Sequence, residues 1–220
     1  MIRPASSRPV RCGGEGMACM QGQGFVCAIV LSMGVPAFEP SGLLPHGRFA
    51  CDLDEFERVF VLEPRFVDST TRRALFGDFR SALELVQAIA PRGVERVWFG
   101  GGFTTSKSDP SDIDATFILN AAIHDTLGDE ARERLAALLT HGGFKGLELS
   151  VDGFMLVRTE VANPWTGDGG VRPGATPYLV KRGAWDDWWS RHRVHGTATE
   201  KPKAEDAPPR RGYVEVIIDA

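Results

Sequence analysis

The sequence lacks several features that would assign the protein to a class at once. It has no apolar run of the roughly 20 residues that a membrane-spanning helix needs, so we expect no membrane-embedded segment. It has no excess of basic charge, since 25 Lys and Arg against 29 Asp and Glu give a net charge of −4. The overall charge therefore gives no strong signal for nucleic-acid binding.

Cysteine is scarce and poorly placed for metal binding. The four cysteines form no Cys-x-x-Cys pair and have no histidine at zinc-ligand spacing. A structural zinc site is therefore not expected. Nothing else in the sequence points to an oxidising compartment, so we expect reduced thiols in a cytoplasmic protein.

The composition is that of a globular domain with an unusual N-terminal segment. A chain of 220 residues with 43% hydrophobic content can bury one sizeable core, and we expect a single domain over 33–220. Residues 1–32 are rich in Gly and Arg without periodicity, which predicts a disordered extension. Two alternatives stay open: a natural translation start at Met33, or a secretory signal, which Glu15 and a short apolar patch disfavour.

Beyond residue 33, helical and strand patterns alternate. A period of two predicts strands at 94–99, 112–119, 147–157 and 213–219. Helical spacing predicts helices after a cap at Asp52, after Ser69 or Thr70, at 129–139, and along a face with Trp185, Trp188, Trp189 and His192. A long Pro- and Gly-rich loop is expected at 158–180 and a polar connector at 196–211. This order predicts an α/β or α+β fold, a mixed sheet packed by helices.

The stretch GGGFTTSKSDPSDIDATFIL, residues 100–119, contains the residues best suited to chemistry. On a strand, side chains two residues apart point to the same face, so Asp112 and Asp114 project together. Such a pair is costly in a partly buried place unless a divalent cation neutralises it. The three glycines let backbone N–H groups approach a phosphate closely, and Lys107 can add positive charge.

A third carboxylate is available on the next predicted strand. Glu148, Ser150 and Asp152 share one parity there. If this strand neighbours the one before it, Asp152 joins Asp112 and Asp114. Three carboxylates around an open face suit Mg²⁺, or Mn²⁺, which takes the rest of its ligands from water and substrate phosphates.

These residues resemble the signature of the nucleotidyltransferase superfamily, the polymerase-β-like fold. The sequence VWFGGGFTTSKSDPSDIDATFIL has the strand, the Gly-Gly turn and the Asp-x-Asp pair of that signature. The resemblance implies that Asp112, Asp114 and Asp152 are catalytic residues and metal ligands. It also implies that an NTP is bound by Gly101, Gly102, Thr104 and Lys107.

A second, narrower resemblance covers roughly residues 33–218. The arm GLLPHG, the loop FTTSKSDPSDID and the ending RRGYVEVII are similar to a little-characterised family of stand-alone nucleotidyltransferase-like proteins from bacteria and their phages. Members of that family usually have Gly-Ser where this chain has Gly101 and Gly102. One hydroxyl contact to phosphate is therefore missing here.

Three functional interpretations remain open. An enzyme would pass a nucleotidyl group from an NTP to RNA, a protein or a small molecule. A catalytically degenerate module would bind a partner or nucleotide without turnover, which the missing serine favours. In the plainest interpretation, the Asp pair is solvated at a strand entrance, the tryptophans pack in the core, and the basic positions from Arg191 to Lys203 form a solvated face.

Overall fold

Five strands form one mixed sheet within residues 34–193 and 200–218, the parts of the chain that the computed structural model describes. The strands are β1 Arg48–Cys51, β2 Val94–Phe99, β3 Ile113–Asn120, β4 Val151–Arg158 and β5 Tyr213–Ile217. Their order across the sheet is β1-β5-β2-β3-β4. The pairs β1–β5 and β3–β4 are parallel, whereas β2 runs antiparallel to both of its neighbours. The predicted class, a mixed sheet packed by helices, is confirmed.

Five helices accompany the sheet within the same residue ranges. They are α1 Leu53–Phe60, α2 Arg72–Ile89, α3 Ala121–His124, α4 Asp129–Leu138 and α5 Thr176–Trp189. The helix α1 begins at its predicted cap, where the Asp52 carboxylate accepts the N–H of Glu55 at 2.7 Å. The N-cap of α2 is Thr71, not the predicted Ser69 or Thr70, and its side chain makes no capping hydrogen bond. The Ser69 hydroxyl nevertheless accepts the N–H of Arg72 at 3.2 Å.

One face of the sheet and the helices α1, α2 and α4 enclose the main core. Alternate residues of β3, from Ile113 to Leu119, are buried in this core. Phenylalanines fill much of it and contact one another at ring-centroid distances of 4.2 to 6.5 Å. Because side chains alternate along a strand, Asp114 and Thr116 lie on the opposite face of the sheet.

The opposite face packs against α5. A second buried cluster there consists of Trp98, Ile118, Leu156, Trp189 and Tyr213. The Trp189 indole N–H donates to the Thr116 hydroxyl at 3.0 Å. A Cβ at Gly100 would overlap the Trp189 ring, so α5 is seated directly on the segment that follows β2.

Some predicted boundaries are wrong. The strand expected at 147–157 begins only at Val151, because Lys145–Leu147 form a 3-10 turn that ends with Glu148 at φ +58°. Glu148 is therefore exposed and off the strand, and its predicted parity with Asp152 does not exist. The helix α5 ends at Trp189, so His192 lies beyond it, and Trp188 is 43% exposed instead of packed.

The connecting segments differ in length from their predictions. The long loop expected at 158–180 covers only 159–175, since α5 already begins at Thr176. The described part of the polar connector contains a 3-10 turn, Ala204–Asp206. The predicted extension over 1–32 lies outside the described residues, which belong to one compact unit. In those residues, no helix is long and apolar enough to cross a membrane.

Candidate functional site

The three predicted acidic residues lie at the start of the parallel strands β3 and β4. Asp112 directly precedes β3, and Asp114 is the second residue of that strand. In the register of the two strands, Asp114 is paired with Asp152. The strands that bear the acids are therefore neighbours, and all three residues line one cleft.

Gly101 packs directly against the carboxylate of Asp114. Its φ of +60° is in the left-handed region that favours glycine. A Cβ on Gly101 would overlap Oδ2 of Asp114. Gly102 is different, because a Cβ there would meet only Lys107 Cδ and Pro110 Cβ, each at 3.9 Å. The position of the Asp114 carboxylate therefore excludes a side chain at residue 101, whereas residue 102 has room for a Cβ.

The carboxyl group of Asp114 has an unusual protonation equilibrium. Burial raises its pKa to about 7, and the charges of Asp112 and Asp152 act in the same direction. The positive charges of Arg211 and His141 oppose this shift without cancelling it. Burial, together with the two neighbouring carboxylates, therefore favours the neutral form of Asp114.

Asp152 is buried and its carboxylate is already hydrogen-bonded. Its Oδ1 accepts the N–H of Gly142 at 3.0 Å, and its Oδ2 lies 3.1 Å from Nδ1 of His141. The Lys145 ammonium lies 4.0 Å from Oδ1. Across the part of the chain that the structure describes, no three His, Cys, Asp or Glu side chains are arranged to hold a metal ion. For Asp152 to bind a cation together with Asp112 and Asp114, its Oδ2 would give up the contact with His141 and bind the cation instead.

Two buried arginines hold residues 100–108, which we call the glycine loop, from behind. Arg72 and Arg211 are 1% and 3% exposed. Arg211 donates to the carbonyl oxygens of Gly101 at 2.7 Å and Thr104 at 3.0 Å. Arg72 donates to further carbonyl oxygens, those of Phe60, Phe103, Thr105, Lys107 and Ser108, at 2.6 to 3.2 Å.

The charge of these arginines survives their burial. Burial lowers the pKa of Arg72 and of Arg211 to about 10, so both guanidinium groups stay protonated at neutral pH. A guanidinium offers five N–H donors in a rigid fork, which suits several carbonyl oxygens of one loop. The two side chains therefore fix the direction in which the peptide groups of the glycine loop point.

The other side of the glycine loop faces the cleft. Gly101 and Gly102 line it, and their N–H groups have no hydrogen-bond acceptor within the described residues. The exposed Lys107 also lines the cleft. Unpaired successive N–H groups beside a cavity are typical of anion-binding backbone.

Thr104 is the one predicted nucleotide-binding residue that does not line the cleft. Its side chain is fully buried, and its hydroxyl donates to the carbonyl of Gly100 at 2.9 Å. The same hydroxyl accepts a hydrogen bond from Arg211 at 2.5 Å. Thr104 therefore holds the glycine loop together from the inside.

The cleft has a volume of about 930 Å³, and one side of it is formed at the end of α5. We call this side the basic wall; it consists of Trp188, Arg191, His192 and Arg193. The Arg191 guanidinium pairs with Asp187, one helical turn earlier. The acidic residues at the start of β3 and β4 thus line the same cavity as basic and aromatic residues from the C-terminal part of the chain.

Sequence reasoning missed the two buried arginines and His141. A signal existed for Arg72, because it precedes Leu75 by three residues and lies on the apolar stripe of α2. A charged residue on such a stripe indicates a buried, hydrogen-bonded charge. No comparable signal distinguishes Arg211 from its neighbour Arg210, or marks His141 as the partner of a residue on β4.

The chain belongs to DUF6932, a family of unknown function, and the match to the family covers residues 36–217. No curated protein and no solved structure matches the chain. The family thus covers the whole sheet and the cleft, and it assigns no activity to them.

Proposed function

We propose that this member of the DUF6932 family is a metal-dependent nucleotidyltransferase, which transfers a nucleotidyl group from an NTP to an acceptor. The observation that carries the proposal is the close packing of Gly101, at a positive φ, against the carboxylate of Asp114. It brings a turn with unpaired N–H groups against a buried carboxyl group that has the carboxylates of Asp112 and Asp152 near it. Nucleotidyl transfer needs both features side by side, one for the phosphates and one for a cation.

The glycine loop supports phosphate binding. Arg72 and Arg211 engage its carbonyl oxygens, which leaves the N–H groups of Gly101 and Gly102 without acceptors at the cleft. A phosphate oxygen would accept from these groups, and the Lys107 ammonium would contribute charge. Because the buried arginines hold the loop before any ligand arrives, little ordering would be required on binding.

The acidic cluster supports a divalent cation. Carboxylate oxygens are the preferred protein ligands of Mg²⁺ and Mn²⁺. Asp112 and Asp114 would hold the cation, with Asp152 as third ligand in place of its contact with His141. When bound, the cation would supply neutralisation of the triphosphate charge and a lower pKa for the acceptor hydroxyl.

The reaction that fits this arrangement is an in-line displacement. The acceptor oxygen attacks the α-phosphorus and forms a new oxygen–phosphorus bond. The bond from the α-phosphorus to its bridging oxygen breaks, and pyrophosphate leaves with the electron pair. We assign removal of the acceptor proton to Asp152, whose position beside Asp114 in the β3–β4 register places it at the acidic cluster.

A second candidate function is nucleotide binding without turnover. It is favoured by the hydrogen bond that Asp152 accepts from Gly142 and by its close contact with the His141 ring, which compete with a cation for the same oxygens. It is also favoured by Gly102, because the resemblance to the nucleotidyltransferase-like family implies a serine hydroxyl group at this position. Both candidates predict NTP binding, and only the first predicts incorporation of the nucleotide into a product.

The first experiment measures ligand-induced thermal stabilisation of the full chain. We expect Mg²⁺ with at least one of the four NTPs to raise the melting temperature, because a ligand that binds the native state stabilises it by mass action. Asp112→Asn should abolish this shift. Asp68→Asn, a change at an exposed aspartate that does not line the cleft, should preserve it. No shift with any of the four NTPs would refute the proposal.

The second experiment separates the two candidates. The protein is incubated with Mg²⁺, NTPs labelled at the α-phosphate, and either total RNA or a protein extract. Label in an acceptor, lost in Asp112→Asn, is the expected result. Binding in the first experiment with no incorporated label for any nucleotide would instead support the module without turnover.

A further inference from the structure

We propose that the acceptor is the end of a single-stranded nucleic acid, bound along the basic wall of the cleft. This inference rests on the proposed function and names the substrate class of the same site. It is carried by the position of an exposed tryptophan, Trp188, beside arginines in a cavity that also contains the acidic cluster.

Trp188 is not needed for the packing of α5 against the sheet. Its neighbours Trp185 and Trp189 already fill the contact with the sheet, where their rings stack at 5.4 Å and Trp185 contacts Phe154 at 4.7 Å. Trp188 remains 43% exposed and lines the cleft. A large aromatic surface left open in this cleft is suited to stacking on a nucleobase.

Positive charge follows Trp188 along the chain. Arg191 and Arg193 line the same cleft, and Lys145 contributes a further ammonium group. The Nε of Arg191 is buried and has no hydrogen-bond partner within the described residues, although its terminal nitrogen pairs with Asp187. Aromatic residues alternating with cations are the usual means of binding single strands, because bases stack on the rings and phosphates pair with the cations.

The cleft extends from the glycine loop to the basic wall. Its volume is about 930 Å³, and both Gly101 and Trp188 line it. We assign the NTP to the glycine loop, which leaves the basic wall for the acceptor. In the transfer, the terminal hydroxyl oxygen of the strand bonds to the α-phosphorus, pyrophosphate leaves, the proton passes through Asp152 to solvent, and the strand becomes one nucleotide longer.

The test measures binding of a 5′-labelled 12-nucleotide single strand to the full chain by fluorescence anisotropy, with RNA and DNA of one sequence as separate arms. We expect binding that weakens as salt increases, and at least a tenfold loss of affinity in Trp188→Ala, about the effect of losing one stacked base. Trp165→Ala is the matched control, because Trp165 is 58% exposed and does not line the cleft. It should bind the strand like the unchanged protein.

Thermal stabilisation by Mg²⁺ and NTP is measured for the same variants. We expect Trp188→Ala to keep it, since Trp188 is assigned to the acceptor. An equal loss of NTP and strand binding in Trp188→Ala would assign the wall to the NTP base and overturn the inference. NTP binding without any binding of either strand, or label entering only protein, would also overturn it while leaving the proposed function intact. Absence of NTP binding would refute the proposed function, and the acceptor inference with it.

Discussion

The glycine loop and the basic wall line the same cleft and are held in opposite ways. Behind the loop, Arg72 and Arg211 are almost fully buried and donate to a series of backbone carbonyls. In the wall, Trp188 is 43% exposed, and Arg191, just beyond the end of α5, pairs with Asp187. Buried hydrogen bonds therefore fix the loop before any ligand binds, whereas much of the Trp188 side chain remains open to solvent. Substitutions in the loop should change stability, and substitutions in the wall should change binding alone.

The largest effect is expected from Arg72→Ala, which removes the hydrogen bonds that Arg72 donates to the carbonyl groups of the glycine loop. Several buried carbonyl groups would lose their hydrogen-bond donors, at a cost of about 3–5 kcal/mol in the free energy of unfolding. Urea denaturation measures this change. The control is Arg73→Ala, at the exposed neighbouring position, which should stay within about 0.5 kcal/mol. Equal losses in the two variants would contradict the assigned role of Arg72.

The second effect depends on pH and concerns Asp114→Asn. The folded state keeps the Asp114 proton up to about pH 7, whereas the unfolded chain loses it near pH 4, so the stability of the unchanged protein falls as pH rises between these values. Asn cannot ionise, so at pH 8 the variant should be more stable than the unchanged protein by about 2–4 kcal/mol. At pH 4 this advantage should be absent.

Chemical denaturation at pH 4, 6 and 8 measures the difference. Asp68→Asn, at an exposed position that does not line the cleft, is the matched control at each pH. A constant difference for Asp114→Asn would show that the carboxyl group is not held in its neutral form by its surroundings. Added Mg²⁺ should stabilise the unchanged protein more at pH 8 than at pH 6, because the cation competes with the proton.

A smaller effect should distinguish two adjacent glycines. Gly101→Ala puts a methyl group against the Asp114 carboxylate at a positive φ, which should destabilise the protein by about 1–3 kcal/mol. Gly102→Ala makes only ordinary van der Waals contacts, with Lys107 Cδ and Pro110 Cβ at 3.9 Å, and should cost less than about 1 kcal/mol. Thermal denaturation measures both. Equal losses would mean that the carboxylate moves aside without cost.

The smallest change in stability is expected from Gly102→Ser. The side chain has room, so the free energy of unfolding should change by less than about 1 kcal/mol. The variant supplies a hydroxyl group at the turn that we propose binds phosphate, so thermal stabilisation by Mg²⁺ and NTP should increase. A large loss of stability would contradict the room for a side chain at Gly102, and a reduced shift would argue against phosphate at this turn.

The predictable part of the fold is the part with strong periodicity. The strand over Val94–Phe99, the cap at Asp52 and the apolar stripe of α2 all appeared where the sequence pattern placed them. The short strand β1, Arg48–Cys51, was not predicted, because its four residues form a strand only by pairing with β5 near the other end of the chain. Four residues are too few to show a period.

The candidate site divides in the same way. The order of residues along the chain determined that Asp112 and Asp114 lie two residues apart and that a glycine turn precedes them; Asp114 is on β3, Asp112 directly precedes it, and both line the cleft. Only the tertiary structure decided that β4 lies beside β3, that the Asp152 carboxylate contacts His141, and that Arg72 and Arg211 both donate to carbonyl groups of the glycine loop. These contacts join residues far apart in the chain, and their energies depend on packing that no short stretch of sequence contains.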